Sequence, residues 1–147
     1  MTDSNDILKL YSKRILSLAA DIPFTTPIAN PQGTAKKRSP LCGSTVTVGL
    51  SMTNGQISEF GQDVKACALG QASASVLGRH ILGRCQTDIE RARSQLEAML
   101  KSEGPIPDPP FEGLEVLRPA KDFKNRHASI LLAYDATLDA INSLNSD

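Results

Sequence analysis

The 147-residue chain has no tryptophan, only four phenylalanines and two tyrosines, and only three cysteines. So few aromatic rings leave little surface on which nucleic-acid bases could stack. Its 16 basic and 16 acidic residues cancel, so no long-range field attracts nucleic acid or an anionic membrane. No apolar run approaches the roughly 20 residues that a membrane span needs. We therefore expect neither a nucleic-acid-binding protein nor a membrane protein.

The start of the chain and its cysteine content predict the compartment. The segment from Met1 to Asp6 is polar and acidic, unlike a signal peptide. An odd number of cysteines without an export signal favours free thiols or metal ligands over a disulfide framework. We expect a cytoplasmic protein. Its length suits a single domain, residues 1–147, with one core.

The clearest pattern in the sequence is an alternating segment that leads into a tight turn. Apolar and polar residues alternate from Thr45 to Met52, as a half-buried strand requires. Asn54-Gly55 is the preferred pair for a two-residue type I′ turn, because both positions need a positive φ. A hairpin with a second strand from Gln56 to about Lys65 is therefore predicted.

The turn also predicts which residues lie opposite each other. Counting outward from it places Cys42 opposite Cys67. The apolar residues of the second strand change parity between Ile57 and Phe60, which predicts a β-bulge that shifts the outer pairing by one residue. The two thiols are expected to be neighbours in either register.

Four further segments have the apolar spacing that is typical of helices. The first ends before Pro23, and the second follows a hinge at Gly70. The third has a capping box formed by Thr87 and Glu90, and the fourth begins near His127. The third helix is expected to bury Ile89, Ala92, Leu96, Met99 and Leu100.

The chain from Pro23 to Pro40 contains no apolar period and is interpreted as a long surface connection. Lys36, Lys37 and Arg38 within it are expected to be solvated and not to form a binding patch. Together with the hairpin and the helices, this predicts an α+β domain.

Two residues stand where the chain enters a helix, and both carry side chains that bind metals. Cys67 precedes the second helix, where the partial positive charge of a helix N-terminus stabilises a thiolate over a thiol. His127 opens the last helix, where the same field favours the neutral imidazole. Two thiolates and an imidazole suit zinc or an iron–sulfur centre. Inert buried cysteines and a capping histidine are the alternative interpretation.

The remaining candidates have simpler explanations. Cys85, ahead of the third helix, is interpreted as a linker thiol, and His80 as a half-buried packing residue of the second helix. The sequence contains neither a recognisable Ser-His-Asp arrangement nor a phosphate-binding glycine loop. We therefore expect no independent hydrolytic or nucleotide chemistry, and no enzyme.

Four segments occur in a recognisable order: Leu41-Cys42-Gly43-Ser44, the Asn54-Gly55 turn, Lys65-Ala66-Cys67-Ala68 and His127-Ala128-Ser129-Ile130-Leu131. They resemble the iron–sulfur cluster assembly scaffolds of the NifU N-terminal, IscU and SufU class, and the resemblance covers most of the chain. It implies a small antiparallel sheet of two or three strands, packed on one face by about four helices. It also implies that Cys42, Cys67 and His127 match metal-ligand positions of the family.

The sequence departs from this family at two positions. The family has an aspartate two residues after its first cysteine, where this chain has Ser44, and a third cysteine where this chain has Ala128. A four-coordinate centre would then be completed by His127, by a nearby group such as Asp122, or by a second subunit that supplies another pair of cysteines.

The resemblance implies a non-catalytic carrier of iron and sulfur. Such a protein accepts sulfur from a cysteine desulfurase, holds iron or a labile iron–sulfur cluster, and passes it to apo-protein acceptors. A monomer or a weak homodimer is expected. Two alternatives stay open: a zinc-binding sulfur-relay protein of the SufU type, which the stretch from Leu114 to Leu131 resembles, and a degenerate scaffold that binds a partner without a cluster.

Overall fold

The computed structural model describes residues 11–41 and 43–144. Within this range the chain forms α1 (Lys13–Ala20), β1 (Gly33–Arg38), β2 (Thr45–Thr53), β3 (Gln56–Lys65), α2 (Ala68–His80), α3 (Gln86–Lys101) and α4 (His127–Leu144). Two 3-10 segments, Glu112–Asp122 and Lys124–Arg126, connect α3 to α4. The strands form one antiparallel sheet in the order β1-β2-β3. The predicted α+β fold with a small antiparallel sheet is confirmed.

The hairpin between β2 and β3 forms as the sequence predicts. Asn54 and Gly55 have φ values of 55° and 78°, the left-handed conformation that a type I′ turn requires. Met52 pairs with Ile57, and the register shifts by one residue directly beyond that pair. The predicted bulge is therefore confirmed.

The prediction of a surface connection throughout 23–40 is wrong, because β1 lies within it. The sequence of β1, Gly-Thr-Ala-Lys-Lys-Arg, has no large apolar residue, so hydrophobic alternation does not reveal the strand. α4 crosses close to the start of the strand, where a Cβ on Gly33 would clash with the carbonyl oxygen of Ala140. Lys37 Nζ lies 3.2 Å from a carboxylate oxygen of Asp139 on α4. Residues 36–38 are thus part of an edge strand.

The helices pack on one face of the sheet. Val46, Val48 and Leu50 of β2 are buried in the core, and α4 packs over β1 and β2. α2 contacts both α1 and α4. On the other face, Pro31 lies close to Gly49, where an added Cβ would be 3.3 Å from it. None of the helices within the described ranges is long and apolar enough to cross a membrane.

The start of α3 differs from the prediction. Its capping box is formed by Cys85 and Asp88, not by Thr87 and Glu90, and Cys85 is therefore the N-cap of α3. The Cys85 amide donates a hydrogen bond to Asp88 Oδ2 at 3.1 Å. Because residues 83 and 84 are hydrogen-bonded to the backbone of Ile57 in β3, the chain enters the helix directly after them. The predicted buried stripe of α3 is confirmed for Ile89, Ala92, Leu96, Met99 and Leu100.

Candidate functional site

Cys67 occupies the junction between β3 and α2, as the N-cap of the helix. Its backbone is extended, with φ −66° and ψ 169°, and its side chain makes no capping hydrogen bond. The thiol is free and partly exposed. The sulfur therefore lies beside the first N–H groups of α2 and can be reached by solvent.

Ser129 connects Cys67 to the segment that leads into β2. Its Oγ lies 3.6 Å from Cys67 Sγ and 3.1 Å from Ser44 Oγ. Both serines are buried, at 2 % exposure for Ser129 and 4 % for Ser44. One hydroxyl of α4 therefore contacts Cys67 and, at the same time, a residue two positions beyond Cys42.

Gly70 permits the close approach of α2 and α4 at this point. A Cβ on Gly70 would lie 2.6 Å from Ser129 Oγ and 3.1 Å from the Ser129 carbonyl oxygen. The predicted hinge at Gly70 is wrong, because Gly70 lies inside α2 and is required by packing. One turn further along, Ser73 Oγ donates to the carbonyl oxygen of Ile130 at 2.7 Å, so small residues continue this interface.

Cys42 lies outside the described residues, but the chain on both sides of it is placed. The Gly43 amide donates to the Ser39 carbonyl at 2.8 Å, and the Ser39 amide donates to the Ser44 carbonyl at 2.8 Å. These bonds join the two ends of a short loop, and Leu41 in that loop is 75 % exposed. Because Ser44 contacts Ser129, this end of the loop lies at the same place as Cys67. The adjacency of the two sulfurs stays a prediction.

His127 opens α4, and its ring is held by the preceding 3-10 segment. The side chain is 4 % exposed, and Nε2 lies 2.9 Å from the carbonyl oxygen of Ala120. A carbonyl oxygen can only accept, so Nε2 donates, and in the neutral ring the lone pair is on Nδ1. Histidines that bind metals commonly donate their other ring N–H to such a carbonyl. Of the two ring nitrogens, Nδ1 is therefore the one that could act as a ligand.

The donor types fit a metal or cluster, but the described residues do not complete a site. Within 11–41 and 43–144, no three His, Cys, Asp or Glu side chains are grouped around a common point. Cys67 offers a thiolate and His127 an imidazole nitrogen, both of which zinc and iron–sulfur centres accept. Ser44 is buried against Ser129, and Asp122 is exposed at the end of its 3-10 segment. A centre therefore requires Cys42 and a further donor.

Ser129 is the residue of this site that sequence reasoning missed. A serine in the first turn of an otherwise apolar helix is an ordinary residue by sequence. The signal that could have identified it is the run of small residues in α2, which predicts a close helix contact there.

The chain is similar to several known proteins over nearly all of its length. No family model matches it. It is 21 % identical over 135 residues to the iron-sulfur cluster assembly scaffold protein IscU of Thermotoga maritima, covering 92 % of this chain and 94 % of that one. The crystal structure of a nitrogen-fixing NifU-like protein (N-terminal) from Brucella abortus matches with a TM-score of 0.93 and 42 % identity, over 97 % of this chain and 99 % of that one.

A third similarity extends the fold to more distant proteins. A protein from Fervidobacterium islandicum, assigned as an iron-sulfur cluster assembly scaffold for the SUF system, has a TM-score of 0.80 at 21 % identity. The match covers 91 % of this chain and 98 % of that one. At this identity the likeness shows a shared fold.

Proposed function

Because this chain belongs to the NifU N-terminal, IscU and SufU class of iron–sulfur cluster assembly scaffolds, we propose that it accepts sulfur at Cys67 and holds iron or a labile cluster. A cysteine desulfurase is the proposed sulfur donor, and apo-proteins are the proposed acceptors. The cluster is cargo that passes through the site. The observation that carries the proposal is the partly exposed Cys67 thiol at the N-terminus of α2, with Ser129 Oγ 3.6 Å from its sulfur.

The proposed sulfur transfer uses Cys67 as the nucleophile. Its thiolate attacks the outer sulfur of a persulfide on the desulfurase, so that an S–S bond forms on Cys67. The S–S bond to the desulfurase cysteine breaks at the same time, and that cysteine leaves as a thiolate. The step therefore needs no external oxidant or reductant. The N-terminus of α2 and the Ser129 hydroxyl both stabilise negative charge on the attacking sulfur.

Cys42, Cys67 and His127 are the proposed metal ligands. The hydrogen bond from His127 Nε2 to Ala120 leaves Nδ1 for coordination. Ser44, two positions after Cys42 in the sequence, contacts Ser129, and this supports the proximity of Cys42 to Cys67. With a serine at position 44 and an alanine at 128, the remaining ligand comes from Asp122 or from a second copy of the chain.

Reconstitution tests this function directly. The protein is incubated without oxygen with ferrous iron, a cysteine desulfurase, cysteine and a thiol reductant that reduces persulfide sulfur to sulfide, and the visible absorbance is recorded. We expect a cluster chromophore in the wild type and its loss in Cys67→Ser. Cys85→Ser is the matched control, because serine is also a good N-cap and α3 keeps its start. A wild-type protein that stays colourless would contradict the scaffold role.

The combination of thiolates with the His127 imidazole favours a second candidate, a zinc-binding sulfur relay, because zinc accepts both types of ligand. This candidate predicts stoichiometric zinc by elemental analysis of protein purified without oxygen, and persulfide on Cys67 without a chromophore.

A degenerate scaffold, by contrast, would contain no metal and would bind its desulfurase partner even with both Cys42 and Cys67 replaced by serine.

A further inference from the structure

A cavity of about 500 Å³ lies at the end of α2 that is remote from Cys67. It is formed between α1, the last turns of α2 and the 3-10 segment near Gly113. α2 contains 13 residues, so at about 1.5 Å per residue its two ends are about 20 Å apart. The cavity is thus separate from the proposed cluster site.

Basic side chains surround this cavity. Lys13 and Arg14 come from the first turn of α1, and Arg79 and His80 come from the last turn of α2. No carboxylate from the described part of the chain lines it. Since the whole chain has equal numbers of basic and acidic residues, the positive charge here is a local feature. An anion entering the cavity would be attracted from several sides.

The carboxylates that lie near the rim compete only weakly for these cations. Glu115 is 3.9 Å from Arg14, and Asp21 is 3.4 Å from Arg79. All four side chains are well exposed, and ion pairs of this kind contribute little. Lys13 has no ion-pair partner among the described residues. An incoming anion can therefore pair with these cations at a small cost in free energy.

Two of the basic groups are held in place before any ligand arrives. Arg79 Nε lies 3.3 Å from Ser75 Oγ, its hydrogen-bond acceptor. The His80 ring packs edge-on against Phe111, with ring centroids 6.2 Å apart. Such preorganisation lowers the entropy that binding must offset. His80 is exposed at the cavity, so the prediction of a half-buried residue is wrong, although its ring does pack against Phe111.

The floor of the cavity is apolar. Val76 is 3 % exposed, Leu18 is half-buried, and a Cβ on Gly113 would be 3.7 Å from Val76. The volume is in the range of small-molecule sites. We propose that this cavity binds a small organic anion, which places its charged group among the basic side chains and a short apolar body on Val76 and Leu18.

The test uses phenyl phosphate as the probe and the full chain labelled with ¹⁵N. Titration at low salt is expected to give saturable amide shifts near residues 13–18 and 76–80, with a Kd of about 1 mM or tighter. Inorganic phosphate is expected to bind about tenfold more weakly, because it does not use the apolar floor. Absence of saturable shifts with phenyl phosphate would overturn the proposal.

Variants that each remove one positive charge distinguish binding in this cavity from a general electrostatic attraction to the protein. Lys13→Gln and Arg79→Gln are each expected to weaken phenyl phosphate binding about tenfold. Lys36→Gln, an exposed residue of β1, removes the same charge elsewhere and is expected to change the affinity less than about twofold. Equal weakening by Lys36→Gln would overturn a local site. The outcome is independent of cluster reconstitution, so failure of one proposal leaves the other intact.

Discussion

The Ser129 hydroxyl contacts Ser44 Oγ at 3.1 Å and Cys67 Sγ at 3.6 Å, in surroundings that exclude most solvent. A hydroxyl has one proton to donate and can accept others, so Ser129 can hold both neighbours in position at once. Ser129 can therefore position the Cys67 sulfur and donate a hydrogen bond to its thiolate.

Ser129→Ala is expected to slow persulfide formation on Cys67 about tenfold, because the sulfur loses a hydrogen-bond donor. Mass spectrometry after incubation with the desulfurase measures this rate. Ser73→Ala is the matched control, since it also removes a buried hydroxyl from the α2–α4 interface but does not contact the thiol. Both variants are expected to lose about 1 kcal/mol of unfolding free energy. Equal slowing in the two would show that Ser129 acts only through stability.

At the scale of secondary-structure elements, the contact between α2 and α4 depends on Gly70. Helix propensity alone favours alanine over glycine by about 1 kcal/mol. A Cβ at this position would, however, be 2.6 Å from Ser129 Oγ, and such overpacking costs about 1–3 kcal/mol. We therefore expect Gly70→Ala to lower the unfolding free energy, measured by urea titration. A more stable variant would contradict the described approach of the two helices.

The start of α3 gives stability a dependence on pH. The hydrogen bond from the Cys85 amide lowers the pKa of the Asp88 carboxyl, with smaller contributions from the charges of Arg84 and Arg91. A carboxyl whose pKa is lower in the folded state stabilises the protein above its unfolded pKa of about 3.9. That contribution is lost as the pH falls through the folded-state value.

Asp88→Ala is accordingly expected to cost about 1 kcal/mol at neutral pH, with a smaller difference from the wild type below about pH 4. Urea unfolding across this range measures the effect. Glu90→Ala, at the exposed position of the capping box that the sequence suggested, is expected to change stability by less than about 0.5 kcal/mol. A larger loss of unfolding free energy in Glu90→Ala would contradict the capping box formed by Cys85 and Asp88.

At the scale of the whole molecule, metal binding and folding are expected to be linked. A metal that binds only the native state stabilises it by about 2.7 kcal/mol when its free concentration is 100 times the Kd. Iron or zinc is therefore expected to raise the Tm of the wild type and of Cys85→Ser, and a chelator to reverse the increase. Cys67→Ser is expected to show no metal-dependent rise. An unchanged Tm in the wild type would argue against a metal held by folded protein.

The parts of the fold that depend only on residues close together in the sequence were predictable. The type I′ turn requires only that Asn54 and Gly55 accept positive φ, and the stripe of α3 requires only a helical period. β1 was not predictable, because its small and basic residues are explained by α4, which crosses it from the far end of the chain. The capping box at Cys85 was also missed, since hydrogen bonds to Ile57 decide where α3 begins.

The sequence by itself determined the hairpin, the helix faces and the family resemblance, because each depends on residue types at fixed short spacing. Only the tertiary structure decided that Ser129 contacts both Ser44 and Cys67, and that basic residues of α1 and α2 surround one cavity. These groupings join residues separated by more than 60 positions along the chain. The physical reason is that such contacts depend on how closely helices pack, which a local pattern does not encode.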